Sequence, residues 1–253
     1  MTVSGTAKEN KAGAHSTAFV LVHGAWHGGW CWQRVTPDLI AAGHRVFAPS
    51  LTGLADRSHL LTRDVGLGTQ IADIVNLIKW EELESVVLVG HSYGGMVIAG
   101  AAQELGPRVK GLVFLDAFVP SANTSLMDLT SPAFREKREA IEKETGTGLM
   151  APNPAEALAV ADPADREWVD RMCTPQSYKT FTDKVGDVDA MDCVPCKVYV
   201  RAKGIVAPMH DQTAERLKSS PGWTVIESPH GHDLMVDAPK DVSKILLNCA
   251  TSI

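Results

Sequence analysis

The sequence has no excess of positive charge and no long apolar run. It contains 24 Lys and Arg against 30 Asp and Glu, which gives a net charge of −6 and an isoelectric point near 5.8. Because no basic run offers counter-charges for phosphates, these features argue against a nucleic-acid or anionic-membrane partner. No segment reaches the roughly eighteen apolar residues of a transmembrane helix. Chemistry on a small molecule is the class of function that remains.

Cysteine is also scarce, and its positions are scattered: Cys31, Cys173, Cys193, Cys196 and Cys249. This odd number predicts reduced thiols rather than a disulfide framework. Cys193 and Cys196 have the C-x-x-C spacing of redox and metal sites, but no second Cys/His pair at ligand spacing accompanies them. We therefore expect neither a metal site nor a cofactor, and leave the role of this pair open.

The first sixteen residues are polar and lack the apolar core of a signal peptide. We interpret residues 1–16 as a flexible N-terminal tail and expect a cytoplasmic protein. At 253 residues with 45% hydrophobic content, the chain is long enough to bury one large core, so one domain with an insertion suits it better than two independent domains.

Strand-like and helix-like segments alternate along the chain. The apolar runs are mostly continuous, which is typical of strands covered on both faces; they lie at 18–22, 45–48, 86–89, 111–115, 197–201 and 223–226. Helical patterns separate them, at 32–42, 68–79, 95–105, 211–218 and 239–248. This alternation predicts an α/β fold with a doubly wound, mostly parallel sheet.

The alternation stops between Pro120 and Asp192, where helical patterns occur at 131–144, 154–160 and 163–172 without a convincing strand. We interpret residues 120–192 as a cap over the carboxyl edge of the sheet, where ligands of open α/β folds bind. The core then comprises residues 17–119 and 193–253. The charged stretch from Arg135 to Glu144 is typical of a solvated helix face rather than a binding feature.

A G-x-S-x-G motif, Gly90-His-Ser-Tyr-Gly94, stands between the run ending at Val89 and the helical pattern that follows. Such a strand-to-helix turn is so sharp that its central residue is strained, and the flanking glycines remove side chains that would collide. The pattern indicates that Ser92 is a nucleophile exposed above the sheet. Its hydroxyl needs a base to take its proton during attack.

Four segments together resemble the α/β-hydrolase superfamily: Leu21–Trp30, Gly90–Gly95, Val113–Pro120 and Gly231-His-Asp233. Within it, the chain is most similar to the branch that holds plant methyl esterases and hydroxynitrile lyases with their bacterial esterase relatives. The resemblance runs from about residue 18 to 247 and is weakest across 120–192. It implies the α/β-hydrolase fold with a helical cap, and a serine hydrolase that cleaves small carboxylic esters through an acyl-enzyme.

The resemblance implies that His232, in the loop after the last strand, is the base, with His230 as its rival by spacing. His23 and His91 belong to motifs and are expected to position loops. In this branch the acid usually follows the strand corresponding to 197–201, but the loop 202–208 contains no carboxylate. We favour Asp116, at the end of the strand after the nucleophile, because some members of the superfamily carry their acid there. Asp211, expected to cap a helix, is the alternative.

Two backbone amides are expected to bind the oxyanion, those of Ala25 and Tyr93. Four side chains are candidates for substrate binding, and they favour an apolar or aromatic ester: Trp26, Leu126, Phe134 and Trp168. A homodimer is usual for similar proteins, and the sequence leaves the oligomeric state open.

Three other functions remain open on this scaffold: hydroxynitrile cleavage, cofactor-independent oxygenation and non-catalytic ligand binding. The lyases of this branch have a threonine after the first-strand histidine and a lysine after the catalytic histidine. This chain has Gly24 and Asp233 at those positions, so departing cyanide would lack its counter-ion. The absence of an acid in the loop 202–208 gives the binding protein some weight, whereas an intact Ser92 and His232 with a substitute acid at Asp116 weigh against it.

Overall fold

The computed structural model describes residues 17–253, and the tail expected at residues 1–16 lies outside them. Six parallel strands form one sheet: β1 Ala18–Val22, β2 Val46–Phe47, β3 Val86–His91, β4 Val109–Leu115, β7 Cys196–Ala202 and β8 Trp223–Ser228. Their order across the sheet is β2-β1-β3-β4-β7-β8, and β5 and β6 lie outside it, within residues 120–192. Every residue of β1 and β3 is buried, which explains why these strands are continuous apolar runs instead of alternating ones.

Ten α-helices lie within residues 17–253, and they are named here in chain order. Their bounds are α1 Thr36–Ala41, α2 Leu67–Trp80, α3 Gly94–Leu105, α4 Leu126–Leu129, α5 Pro132–Thr145, α6 Pro163–Met172, α7 Lys179–Thr182, α8 Pro208–Lys218, α9 Leu234–Asp237 and α10 Pro239–Thr251. The helix expected at 32–42 is instead a 3₁₀ turn, Gly29–Trp32, followed by α1. Pro37 explains the break, since proline is tolerated only in the first turn of a helix.

Helices cover both faces of the sheet, as a doubly wound fold requires. Apolar side chains of α2, α3 and α8 pack on one face, and those of α1, α9 and α10 pack on the other. The central strands β3 and β4 therefore contribute to both hydrophobic cores. Burial on both sides keeps the carboxyl ends of these strands in fixed relative positions.

Residues 120–192 contribute no strand to the six-stranded sheet. They contain α4 to α7 and a pair of two-residue antiparallel strands, β5 Leu149–Met150 and β6 Gln176–Ser177. The sequence predicted no strand here, because two residues are too short to show alternation. Helix α5 begins after Ser131, whose hydroxyl accepts from the Phe134 N–H, and ends at Gly146 with φ 60°, a typical pair of start and stop signals.

A disulfide joins Cys196, the first residue of β7, to Cys249 of α10. The prediction of reduced thiols is therefore wrong for these two residues. Sequence spacing could not reveal the bond, because 53 residues separate the two cysteines and only folding brings the helix to the strand. Cys193 is free and exposed, so the C-x-x-C motif does not act as a pair.

Candidate active site

Ser92 occupies the turn between β3 and α3, with a left-handed φ of 50°. A side chain at Gly90 would place its Cβ 2.8 Å from the Gly94 carbonyl, and one at Gly94 would place its Cβ 2.7 Å from the His23 oxygen. The turn therefore closes only with glycine on both sides of the serine. The Ser92 N–H donates to Leu115 O at 3.2 Å, which ties the turn to the end of β4. This is the strained geometry that the motif predicted.

His232 lies in the loop between β8 and α9, where it hydrogen-bonds Asp116. Its Nδ1 is 2.7 Å from Asp116 Oδ2, and its Nε2 hydrogen-bonds no residue of 17–253. The backbone of His232 is held from two sides: its N–H donates to Leu158 O at 2.9 Å, and its carbonyl accepts from His91 Nε2 at 3.0 Å. The ring therefore has one nitrogen engaged by a carboxylate and the other available, as a general base requires.

Asp116 directly follows β4 and is fully buried, with a left-handed φ of 42°. Its Oδ1 accepts from the Ala202 N–H at 3.0 Å and from Arg201 Nη1 at 3.1 Å. Its Oδ2 accepts the hydrogen bond from His232 Nδ1. Burial alone would raise the pKa of Asp116, but the hydrogen bonds from His232 Nδ1 and from the Ala202 N–H help to hold it well below 3.8. Asp116 is therefore a carboxylate at neutral pH.

The rival carboxylate, Asp211, lies elsewhere. It accepts from Arg201 Nε at 2.9 Å and Lys203 Nζ at 2.8 Å, and it makes no hydrogen bond to His232. Asp211 is not a helix cap as expected, because α8 already begins at Pro208. The structure thus brings Ser92, His232 and Asp116 to one edge of the sheet and leaves Asp211 on the surface.

The sequence did not indicate a role for Arg201 or His210. Arg201 is buried, and its Nη2 donates to Ile205 O at 3.0 Å, so it holds the loop that lacks an acid while it neutralises Asp116. His210 Nδ1 lies 3.3 Å from the Tyr199 hydroxyl, and burial lowers the pKa of His210 to about 4. Neither residue belongs to a motif, so no local signal could have found them.

Ligand atoms of Asp116, His210 and His232 lie within 4.8 Å of one another, a spacing that a metal ion would accept. The ligand atoms of Asp116 and His232 already have hydrogen-bond partners, however. Asp116 Oδ2 and His232 Nδ1 bond each other, and Asp116 Oδ1 faces the cationic Arg201. The set therefore fits a hydrogen-bonded His–carboxylate pair better than a metal centre.

Ala25 and Tyr93 line the same cavity as Ser92. Within residues 17–253, neither N–H donates a hydrogen bond to another residue. Tyr93 precedes the first turn of α3, so its amide lies at the positive end of the helix dipole. Two unpaired amides beside a strained serine provide donors for a developing oxyanion.

A second His–Asp pair lies behind the first. His27 Nε2 is 3.1 Å from Asp233 Oδ2, and His27 Nδ1 is 2.8 Å from Ala25 O. Since both ring nitrogens face oxygen acceptors, both carry protons. Burial alone would lower the pKa of His27, but the Asp233 carboxylate more than offsets it and raises that pKa well above 6.5. Asp233 itself stays ionised, because its pKa is held below 3.8 against the effect of burial.

The second pair joins the two loops that flank Ser92. His27 binds the carbonyl of Ala25 in the loop after β1, and Asp233 follows His232 in the loop after β8. His91, beside Ser92, donates from Nε2 to His232 O, and burial lowers its pKa to about 3. His23 also positions a loop, as expected, with Nε2 accepting from the Leu51 N–H at 3.0 Å.

The cavity above Ser92 has a volume of about 320 Å³, within the range of small-molecule sites. Three of the predicted substrate-binding residues line it: Trp26, Leu126 and Phe134. The fourth, Trp168, does not line it and packs against Trp30 at 4.9 Å between ring centroids. Its place in α6 turns it toward the other face of the sheet, which the helical pattern alone could not show. Further apolar lining comes from Phe118, Phe181, Leu158, Ile205 and Met209.

The sheet is parallel, a serine occupies a strained strand-to-helix turn, and a His–Asp pair lies at the carboxyl edge. Together these features define a hydrolase with a nucleophile elbow. A sequence profile described as "Alpha/beta hydrolase family" matches residues 19–245. The chain belongs to this family.

Individual relatives agree with the profile. A carbendazim hydrolyzing esterase of Nocardioides sp. (strain SG-4G) is 43% identical over 237 residues, covering 90% of this chain and 97% of the relative. Methylesterase 1 of Arabidopsis thaliana is 39% identical over 109 residues, 42% of this chain and 41% of its own. These relatives confirm the predicted resemblance and an ester hydrolase of the carboxylesterase type.

A solved structure shares the fold. An extracellular α/β-hydrolase from a Paenibacillus species superposes with a TM-score of 0.81 at 22% identity, covering 92% of this chain and 98% of the other. The predicted α/β-hydrolase fold is confirmed. Every helix within residues 17–253 is too short or too polar to span a membrane.

Proposed function

We propose that the protein hydrolyses a small carboxylic ester, with Ser92 as nucleophile, His232 as base and Asp116 as the acid that orients the base. The single observation that carries the assignment is the 2.7 Å contact between His232 Nδ1 and Asp116 Oδ2, at a cavity that both Ser92 and His232 line. With Nδ1–H donated to the carboxylate, Nε2 is unprotonated and can accept the serine proton.

In the acylation step, Ser92 Oγ attacks the ester carbonyl while His232 Nε2 takes its proton. The amides of Ala25 and Tyr93 stabilise the tetrahedral oxyanion, and loss of one such donor typically costs about 10² to 10³ in rate. His232 then gives the proton to the departing alkoxide, which leaves as an alcohol. Asp116 stabilises the imidazolium in between without becoming protonated itself.

In the deacylation step, His232 activates a water molecule that attacks the acyl-enzyme, and the acid leaves with Ser92 restored. Residues 120–192 act as a cap in this proposal, because Leu126, Phe134 and Phe181 of that segment line the cavity. The apolar walls favour an alkyl or aryl group on the ester and exclude bulk water from the acyl-enzyme.

The residues around Gly24 do not suit hydroxynitrile cleavage. A Cβ added at Gly24 would lie 2.6 Å from His91 Nδ1, so a threonine there requires His91 to move. Asp233 points to His27 and is fully buried, so this position places no cation beside the cavity for departing cyanide. The main argument for a non-catalytic binding protein was the absence of an acid from the loop 202–208. In the proposed site Asp116 takes the place of that acid, so the argument no longer applies.

Two measurements on the purified protein test the proposal. A serine-directed fluorophosphonate should label Ser92, mapped by peptide mass spectrometry, and a chromogenic short-chain ester should be turned over with a burst of alcohol release. Ser92→Ala should show neither. Labelling at another serine, or unchanged turnover by the alanine variant, would refute the assignment.

The cellular location and the oligomeric state stay predictions. The cytoplasmic location that we expected contrasts with the Cys196–Cys249 disulfide, which is typical of oxidising compartments. Fractionation of the native host, with non-reducing mass spectrometry of the recovered protein, distinguishes the two. Light scattering tests whether the protein is a homodimer.

A further inference from the structure

Arg138 of α5 is a buried cation at the cap side of the cavity, although its stretch of sequence predicted a solvated helix face. The residue is only 6% exposed. Its Nη1 donates to Ala151 O at 3.2 Å and its Nη2 to Asn153 Oδ1 at 2.6 Å, while Nε has no acceptor. No carboxylate within residues 17–253 pairs with it, and burial alone lowers the pKa of Arg138. Its charge is therefore uncompensated by any anion of the described chain.

The guanidinium lies directly behind the wall of the cavity. Its Cζ is 5.2 Å from the ring centroid of Trp26 and 5.1 Å from that of Phe134. Both rings line the cavity, as does Asn153. The guanidinium is buried beside these rings, where the dielectric constant is low and little water screens its charge. Its positive electrostatic potential therefore extends into the cavity.

The same wall carries a hydrogen-bond donor. Asn153 lines the cavity and uses its Oδ1 to accept from Arg138 Nη2. Its N–H₂ group donates no hydrogen bond within residues 17–253, and the bond to the guanidinium polarises the amide. No Asp or Glu within residues 17–253 lines the cavity. The arrangement therefore suits an oxygen acceptor on the ligand.

We propose that Asn153, with Arg138 behind it and the rings of Trp26 and Phe134 beside it, binds an oxygen acceptor of the substrate outside the scissile ester group. The best acceptor is a carboxylate, followed by a carbonyl. The inference rests on the proposed ester hydrolysis and adds a class of substrate to it. A purely apolar group at this place takes the Asn153 N–H₂ group out of water without giving it an acceptor, which weakens binding.

Matched esters test the idea. Methyl benzoates with a para carboxylate, acetyl or isopropyl group place the acceptor on the acyl side, and benzyl acetates with the same groups place it on the alcohol side. The esters differ in intrinsic reactivity, and comparing each ester between wild type and variant removes that difference. In at least one series, Arg138→Met should lower kcat/KM for the carboxylate by about tenfold or more relative to the isopropyl ester, mainly through KM. The acetyl ester should fall in between.

Two further variants keep the test decisive if Arg138→Met does not fold. Asn153→Asp places a carboxylate against Arg138 and should reduce the same preference by neutralising it. Asn153→Ala removes the amide donor, and should weaken acetyl and carboxylate esters more than isopropyl ones. Lys137→Met, on an exposed position of the same helix, removes an equal charge and should leave the ratio unchanged.

The outcomes separate the two proposals. If wild type hydrolyses none of the esters, the proposed function fails. If it hydrolyses the isopropyl esters and the folded variants change all esters of both series by the same factor, the inference about Arg138 is overturned while ester hydrolysis stands. A ratio that falls equally in Lys137→Met would attribute the preference to net charge and would also overturn it.

Discussion

Two buried His–Asp pairs lie side by side in this molecule, and they differ in the number of free ring nitrogens. His232 gives Nδ1 to Asp116 and keeps Nε2 for the cavity, whereas His27 gives Nε2 to Asp233 and Nδ1 to the Ala25 carbonyl. A base needs an available nitrogen. His27 has none, so it acts as a fixed cation between two loops, while His232 can move a proton. In the proposed mechanism, the same two residue types serve catalysis in one pair and hold two loops together in the other.

The largest expected effect on kcat is that of replacing Ser92, the proposed nucleophile, from which only the His232–Asp116 pair can take a proton. Ser92→Ala should lower kcat by a factor on the order of 10⁶, as removal of a triad nucleophile does in serine proteases. The fold should persist, since the serine contributes little packing. Ester turnover and the unfolding temperature measure the two parts. Substantial remaining turnover would mean that another residue attacks the ester.

Asp116→Asn should have the next largest effect. An amide at this position favours the wrong imidazole tautomer, so kcat should fall by about 10⁴, and Arg201 loses its buried carboxylate partner. Steady-state kinetics measure the loss. If kcat stays within an order of magnitude of wild type, Asp116 does not orient His232, and the two His–Asp pairs do not differ in role as proposed.

Asp233→Asn should act on stability more than on chemistry. Removing one partner of a buried ion pair costs about 3–5 kcal/mol of unfolding free energy, because the His27 imidazolium is left without its carboxylate. The folded fraction should retain a kcat close to that of wild type, because Ser92, His232 and Asp116 are unchanged. Urea titration and steady-state kinetics on the same variant test both statements. A loss of kcat as large as that of Asp116→Asn, without a loss of stability, would assign Asp233 to the chemistry.

The stabilisation by the second pair should itself depend on pH. The pKa of Asp233 is lowered from 3.8, so its contribution is present above that value and lost as pH falls below it. The pKa of His27 is raised from 6.5, so its contribution is complete below that value and declines as pH rises through the folded pKa. The stability difference between wild type and a His27→Gln/Asp233→Asn double variant should therefore be largest between about pH 4 and 6.5. Urea midpoints across pH measure it, and a flat difference would contradict the ion pair.

The smallest effect should come from the rival acid. Asp211 is 41% exposed and pairs with Arg201 and Lys203, so Asp211→Asn should cost less than about 1 kcal/mol of stability and leave kcat close to wild type. The same kinetic assay that measures Asp116→Asn measures this variant. A reversed ranking of the two variants would identify Asp211 as the acid.

Much of the catalytic candidate could be predicted from the sequence. The elbow around Ser92 is a local device, because the glycines at 90 and 94 are required by atoms only a few residues away or in the neighbouring strand. The resemblance to the α/β-hydrolase superfamily implied His232 and Asp116. Their positions after predicted strands agree with it, since the carboxyl ends of parallel strands meet at one edge. Continuous apolar runs likewise predicted six strands, most to within two residues of their bounds.

The remaining features depend on pairs that are distant in sequence. His27 and Asp233 are 206 residues apart, and the Cys196–Cys249 bond joins a strand to the last helix. The charge of Arg138 is typical of an exposed helix face, and only the packing of α5 against Trp26 shows it to be buried. Trp168 was expected in the cavity because it lies in the inserted segment, but the orientation of α6 places it against Trp30 instead.

The amino-acid sequence by itself determined the alternation of strands and helices, the strained serine turn and the absence of an acid from the loop 202–208. These are local properties, set by apolar period, glycine placement and residue type. Only the tertiary structure decided which histidine keeps a free nitrogen, which carboxylate reaches it and where the uncompensated cation lies. Those depend on distances across the sheet and on burial, which raises the energy of an unpaired charge or donor far above its value in water.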